Sequence, residues 1–206
     1  MDQGTIAVIA VSVLLIGWYV AAHVYNRRRG RRLRDWLEAG LDPLGGAREA
    51  GWLGSPASGA RIAIRRANPP FRRLEMTLLL ENREIPLLWL LDRLRGKRDR
   101  TIMQVTLRSP RRGEIEIASD RSASRHTEGW TSRPGPHGLR VAYRGLNGER
   151  MMIALEPWLE TYGSHLRRFH WRKTDPHITL QLSIAGLLET EAETLLTDLS
   201  TALRAT

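Results

Sequence analysis

Residues 5–34 read TIAVIAVSVLLIGWYVAAHVYNRRRGRRLR, a long apolar run that leads directly into six arginines. Within residues 5–25, His23 is the one ionisable side chain other than tyrosine. As an α-helix this segment would be about 31 Å long, which matches a bilayer hydrocarbon core of about 30 Å. The segment therefore predicts a single N-terminal transmembrane helix, and we assign residues 1–26 to a membrane anchor.

The residues on either side of the anchor predict its orientation. No Lys or Arg precedes it, whereas six arginines follow it: Arg27, Arg28, Arg29, Arg31, Arg32 and Arg34. Because cytoplasmic flanks carry the excess of Lys and Arg, residues 27–206 are expected in the cytoplasm and the N-terminus outside. Trp18, Tyr19 and Tyr25 cluster toward the inner end, as an interfacial aromatic belt would. We expect a single-pass protein of a prokaryotic inner membrane.

A cleaved signal peptide is the alternative interpretation of this segment. Val20, Ala21 and Ala22 would pass as a weak cleavage site. Two features argue against cleavage. The apolar run lacks a positively charged segment before it, and six arginines would have to follow the cut across the membrane.

The chain after the anchor changes character twice before residue 61. Leu33, Trp36, Leu37 and Leu41 recur at helical spacing among the arginines. Residues 27–41 are therefore predicted to be a basic amphipathic juxtamembrane segment, which either lies on the membrane surface or continues the anchor. Residues 42–60 are rich in Gly, Pro and Ser and are predicted to be a linker or irregular loop.

Alternating apolar and polar residues dominate the rest of the chain. Strands are expected at residues 61–65, 74–81, 103–107, 115–117, 139–143, 151–155, 169–171 and 178–184. Helices are expected after Pro86, after Pro157 and behind a capping box formed by Thr190 and Glu193. Residues 109–113 read as a turn and residues 119–138 as a long polar loop. The pattern predicts an α+β domain over residues 61–206, with helices packed on one face of an antiparallel sheet.

One stretch combines a strongly apolar helix with a basic end. The sequence LLWLL at residues 87–91 precedes a run of cations: Arg93, Arg95, Lys97, Arg98 and Arg100. A core helix with a solvated basic end explains this pattern. The functional alternative is a second contact with the inner leaflet, made by Trp89 and these cations, since anionic lipid attracts basic side chains near the surface.

The charge balance points to a location more than to a substrate. The 206 residues carry a formal net charge of +10, supplied by 30 Arg and 2 Lys against 22 acidic residues. The net charge is +2 over residues 1–60, +9 over residues 61–112 and −1 over residues 113–206. Since the excess follows the anchor and no nucleic-acid-binding motif is visible, nucleic acid is an unlikely partner. The absence of cysteine excludes disulfides, thiolate metal sites and cysteine nucleophiles.

No catalytic constellation stands out in the sequence. The best candidates for a metal or catalytic cluster are His165, His170, Asp175 and His177. Their spacing matches no metal motif. Glu114 and Glu116 share one strand face, where pairing with arginine is the usual role. Neither a phosphate-binding glycine loop nor a nucleophile elbow is present. No catalytic residue, cofactor or metal is therefore assigned, and an enzyme is the minority interpretation.

Three functions agree with these observations. The first is a membrane-anchored cytoplasmic interaction or assembly module, such as an accessory subunit of a membrane complex. The second is a sensor or scaffold for an anionic lipid surface, and the third is a membrane-tethered enzyme. The expected partners are the lipid bilayer and other membrane or membrane-associated proteins.

Overall fold

A computed structural model describes residues 2–109, 112–119 and 129–205. These residues form an α+β fold. The helices are α1 (Gln3–Leu41), α2 (Pro86–Leu94), α3 (Gly148–Tyr162) and α4 (Ala192–Ala205). The strands are β1 (Ala47–Trp52), β2 (Gly59–Arg65), β3 (Phe71–Leu79), β4 (Arg100–Leu107), β5 (Glu114–Ser119), β6 (Thr131–Pro134), β7 (Leu139–Arg144), β8 (Leu166–Trp171) and β9 (Ile178–Ser183).

The strands form one sheet in the order β1-β2-β3-β4-β9-β8-β5-β7-β6. Neighbouring strands are antiparallel throughout. Strands β8 and β9 lie in the middle, where β9 pairs with β4 and β8 pairs with β5. Because the last two strands join the two halves of the sheet, the described part of the sheet is continuous.

The core lies on one face of this sheet. The side chains that alternate toward it are buried, among them Ile64, Leu74, Val105, Phe169 and Leu180. The second half of α1, together with α3 and α4, covers that face. The opposite face carries half-exposed polar and charged side chains. The α+β class, the antiparallel sheet and the packing of helices on one face are confirmed.

Helix α1 continues without interruption from the apolar segment into this core. Its 39 residues make it about 58 Å long. Residues 3–21 are exposed, and the buried positions begin at Ala22 and recur every three or four residues: Asn26, Gly30, Leu33, Leu37, Gly40 and Leu41. Residues 27–41 continue the apolar helix and do not form a separate surface helix. One side of this half is part of the hydrophobic core.

The structure departs from the predicted elements in four places. The helix expected after Pro157 begins earlier, at Gly148, and contains that proline. Residues 151–155 form part of α3, although the alternation of Met151, Ile153 and Leu155 favoured a strand. The buried positions of α3 follow helical spacing, and Ile153 is exposed. Residues 42–60, expected to be a linker or irregular loop, contain strand β1. Strand β6 lies within the predicted loop 119–138, of which residues 120–128 lie outside the described residues, as do Pro110 and Arg111 of the turn at 109–113.

Candidate membrane junction

Helix α1 is long and apolar enough at its N-terminal end to cross a membrane. We call residues 5–25 its apolar half and residues 26–41 its basic half. Around the point at which the two meet, α1 becomes buried against the rest of the fold, at Ala22 and Asn26. The residues gathered around this point form the candidate functional site.

Asp99 is the centre of this site. Its side chain is 5% exposed and accepts hydrogen bonds from two arginines that come from distant parts of the chain. Arg29 Nε on α1 lies 2.7 Å from Asp99 Oδ2, and Arg83 Nη2 lies 3.0 Å from the same oxygen. Arg83 Nη1 and the Glu81 backbone N–H donate to Oδ1 at 3.1 and 2.8 Å. The carboxylate therefore ties α1 to the segment that leads into α2.

Asn26 closes the same network from the helix. Its Nδ2 donates to the Glu81 carbonyl oxygen at 2.8 Å, and its Oδ1 accepts from Arg83 Nη1 at 2.8 Å. The amide is buried, and both of its polar ends have a partner. We define the junction cluster as Asn26, Arg29, Glu81, Arg83 and Asp99.

The junction cluster keeps Asp99 ionised. Burial by itself raises the pKa of this carboxyl, because desolvation penalises the charged form. Hydrogen bonds from Arg83, the Glu81 N–H and Arg29 outweigh that effect, so the pKa of Asp99 lies below its ordinary value. Two arginines thus face one buried aspartate, with the Glu81 carboxylate 3.5 Å from Arg83 Nη2.

Helix α2 is attached to the apolar half of α1 beside this cluster. The rings of Trp18 and Trp89 lie 5.7 Å apart, and Trp18 Nε1 donates to the Arg83 carbonyl oxygen at 2.8 Å. Trp89 Nε1 donates to Glu81 Oε2 at 2.9 Å. The His23 ring nitrogen Nδ1 lies 2.8 Å from Glu84 Oε1. The contact with α2 therefore lies within the last two turns of the apolar half.

The leucines of α2 face away from the protein. They are 40–76% exposed: Leu87, Leu88, Leu90, Leu91 and Leu94. The interpretation of this segment as a core helix with a solvated basic end is therefore wrong. Its length, its start at Pro86 and the left-handed Gly96 after its end agree with the sequence prediction.

The cations after α2 occupy different environments. Arg93 lies over the Trp89 ring at 5.2 Å, and Lys97 pairs with Asp92 at 2.7 Å. Arg98 donates to the carbonyl oxygens of Arg93 and Lys97, at the C-terminal end of α2. Arg95 and Arg100 are exposed. Contact of this group with lipid stays a prediction.

The six arginines after the apolar half divide into two groups. Arg27, Arg28, Arg31 and Arg32 are exposed on α1. Arg29 and Arg34 are instead half-buried. Arg29 bonds Asp99, whereas Arg34 pairs with Glu38 at 2.6 Å and lies over the Trp52 ring.

The three aromatic residues assigned to the interface all lie near the junction. Trp18 contacts Trp89, Tyr19 stacks on His23, and Tyr25 lies under the Arg83 guanidinium at 5.4 Å. Their placement at the membrane interface stays a prediction.

The four residues nearest to a catalytic or metal cluster each bond a different partner, and His170 lies beside Glu116. His165 Nδ1 lies 3.1 Å from the Ala185 carbonyl oxygen, and Asp175 accepts from Thr106 Oγ1. His177 Nδ1 accepts from the Leu107 backbone N–H. Among the described residues there is no group of three His, Asp or Glu side chains that could hold a metal ion.

The paired strand carboxylates bind cations, as expected. Glu114 pairs with Arg144, and Glu116 accepts from Arg168 Nη2 at 3.2 Å and lies 3.3 Å from His170 Nε2. Burial, aided by Arg168 and Arg172, lowers the pKa of His170 despite the attraction of Glu116. The shift favours the neutral imidazole beside Glu116.

Sequence reasoning missed Glu81, Arg83 and Asp99. Their contacts with α1 join residues 55 to 70 positions apart, which no local pattern reveals. One signal was available, since Asp99 is the one acid between Arg93 and Arg100. A buried acid in a basic run marks a site where cations converge.

No family model and no curated protein matches the sequence. Among solved structures, the chain is similar to the crystal structure of the mycobacterial trehalose monomycolate transport factor A, TtfA. The two are 10% identical with a TM-score of 0.44, over 85% of this chain and 94% of that chain. A similarity at this level does not establish a shared fold or function.

Proposed function

We propose that this protein is a single-pass membrane protein that holds an interaction or assembly module at the cytoplasmic surface, as an accessory subunit of a membrane complex. The observation that carries the proposal is the continuity of α1. The same helix supplies the candidate membrane span and, through Leu33, Leu37 and Leu41, part of the domain's core. A domain attached in this way stays at a set height and angle above the bilayer.

The junction cluster supports such a role more than a flexible tether would. A domain that only needed to be kept near the membrane could hang from a Gly- and Ser-rich linker. Here Arg29 and Asn26 on α1 are instead bonded to Asp99, Glu81 and Arg83. A fixed orientation is useful where a second protein in the same membrane must be met in one geometry.

The orientation is part of the proposal and has a direct test. The chain lacks cysteine, so Gln3→Cys and Thr201→Cys each introduce a single thiol at an exposed position. In intact spheroplasts a membrane-impermeant maleimide should label the first, and should label the second only after permeabilisation. The opposite pattern would contradict the cytoplasmic placement.

Affinity purification tests the interaction role. The chain is first crosslinked with a reagent that does not depend on lysine and is then extracted in mild detergent. The wild-type chain should recover a reproducible set of membrane or membrane-associated proteins. An Asp99→Asn variant, which keeps the span but loses the fixed junction, should recover less of the same set. Recovery of the wild-type chain alone in repeated experiments would sink the proposal.

Contact with lipid is a second candidate, favoured by the exposed leucines of α2. It adds to the anchored module and does not replace it. Nucleic acid is not proposed as a partner. Two of the cations at the junction, Arg29 and Arg83, are engaged by Asp99.

A further inference from the structure

Helix α2 is amphipathic in the reverse sense from an ordinary surface helix. A surface helix normally turns its apolar stripe toward the core and its polar side toward water. In α2 the side that carries Trp89 faces the protein, where Trp89 Nε1 bonds Glu81. The stripe formed by the five leucines at positions 87, 88, 90, 91 and 94 faces outward.

Such an arrangement is costly in water. Contiguous exposed apolar side chains mark a surface that another apolar phase covers. Ile85, 48% exposed, extends the stripe by one residue before the helix begins. We therefore expect another apolar phase to cover the exposed leucines.

The position of α2 indicates which phase covers these leucines. Trp89 contacts Trp18, which lies seven residues before the end of the apolar half, or about 10 Å along the helix axis. Helix α2 is thus beside the candidate span itself. Its leucine stripe adds to the exposed apolar surface of residues 5–21 on α1.

The surroundings of α2 have the composition of a membrane interface. A cleft of about 480 Å³ between α1 and α2 is lined by three aromatic residues and four arginines, and also by two acids that pair with Arg29 and Arg83. The aromatic residues are Trp18, Tyr25 and Trp89, the arginines are Arg29, Arg83, Arg93 and Arg98, and the acids are Glu81 and Asp99. Aromatic rings favour the headgroup level, and arginines favour its phosphates. The leucines would then lie in the acyl region while the cleft lies level with the headgroups.

We infer that α2 is an interfacial helix whose leucine stripe inserts into the cytoplasmic leaflet beside the α1 span, as a second lipid anchor. The bilayer is the phase that covers the stripe, because α2 lies beside the candidate span and carries aromatic and basic side chains of its own. Two anchors, one crossing and one lying in the leaflet, prevent the domain from rotating about the α1 axis. This inference rests on the proposed function, since it requires residues 5–25 to be in the bilayer.

Single nitroxide labels on the full chain test the inference in phosphatidylcholine vesicles. Leu88→Cys and Leu91→Cys place labels on the stripe, Val13→Cys places one in the span, and Thr201→Cys places one on the exposed side of α4. Collision with oxygen reports lipid, whereas collision with a water-soluble nickel chelate reports water. We expect the stripe labels to collide freely with oxygen and to lose collision with nickel, as at Val13, while Thr201 shows the reverse.

The remaining outcomes separate this inference from the proposed function. Stripe labels that behave like Thr201, with Val13 in lipid, would overturn the lipid contact and leave the single anchor intact. Stripe labels shielded from both reagents would show a protein covering α2, a second copy or a partner, and would also overturn it. A Val13 label that collides with nickel as Thr201 does would refute the span, and with it the proposed function.

Discussion

Replacing Asp99 with Asn should lower the free energy of unfolding of the sheet domain by about 3 kcal/mol, since removing one partner of a buried ion pair leaves the other charge uncompensated. Arg29 and Arg83 are 25% and 14% exposed and both bond this carboxylate. An amide has the same shape but no charge, so the variant tests the electrostatic role. Denaturant unfolding of the full chain in mild detergent, followed by near-ultraviolet circular dichroism, measures the effect.

The matched control is Asp92→Asn. Asp92 pairs with Lys97 at 2.7 Å, but the two side chains are 33% and 63% exposed. An ion pair at the surface contributes about 0–1 kcal/mol, so this variant should unfold almost as the wild type does. Equal losses for the two variants would show that Asp99 has no special role at the junction.

The Asp99→Asn substitution should also change how the free energy of unfolding depends on pH in the acid range. The pKa of Asp99 is lower in the folded than in the unfolded chain, so the unfolded chain binds the proton first as the pH falls. The stability that the carboxylate contributes is complete above the ordinary aspartate pKa of about 3.9 and is lost as the pH falls below it. The Asp99→Asn variant should lack this component of the acid transition.

Replacing Gly30 with Ala should destabilise the domain, although the same change stabilises an ordinary helix by about 1 kcal/mol. A Cβ at Gly30 would lie 2.0 Å from the Pro56 carbonyl oxygen. That contact is with backbone, so a side-chain rotation cannot relieve it, and either α1 or the connection between β1 and β2 that carries Pro56 must shift. We expect a loss of about 2 kcal/mol or more from this overpacking.

Gly17→Ala is the control for that substitution. Gly17 lies in the apolar half of the same helix, and a Cβ there meets nothing within 4 Å. The two variants should therefore differ in the sign of their effect on the denaturation midpoint. A Gly30→Ala variant as stable as Gly17→Ala would show that the basic half of α1 is not packed on the domain as described.

The sequence predicted the elements whose pattern is local. Residues 5–25 form a helix because the run is apolar throughout, and β3, β4 and β9 follow the period of two. The prediction was wrong at residues 151–155, where three alternating apolar residues agree with a strand as well as with a helix. Only the burial of Met152, which breaks the alternation, decides between the two.

The junction was beyond the reach of the sequence for a different reason. Asp99 acquires its role by meeting Arg29 across 70 residues, and that encounter depends on the order of the strands. The outward face of α2 was equally hidden. Leucines at helical spacing show that a helix has an apolar side but not whether protein or lipid covers it.

We expect α1 to hold the domain rigidly relative to its own apolar half, and therefore relative to the bilayer. Pulsed electron–electron double resonance tests this most directly. It measures the distance between nitroxides at Val13→Cys and Thr201→Cys on the full chain in lipid nanodiscs. One label lies in the apolar half of α1 and the other on α4, which packs against the basic half. We expect a single narrow distance distribution that broadens in the Asp99→Asn variant, and a broad or multi-peaked wild-type distribution would contradict a rigid attachment.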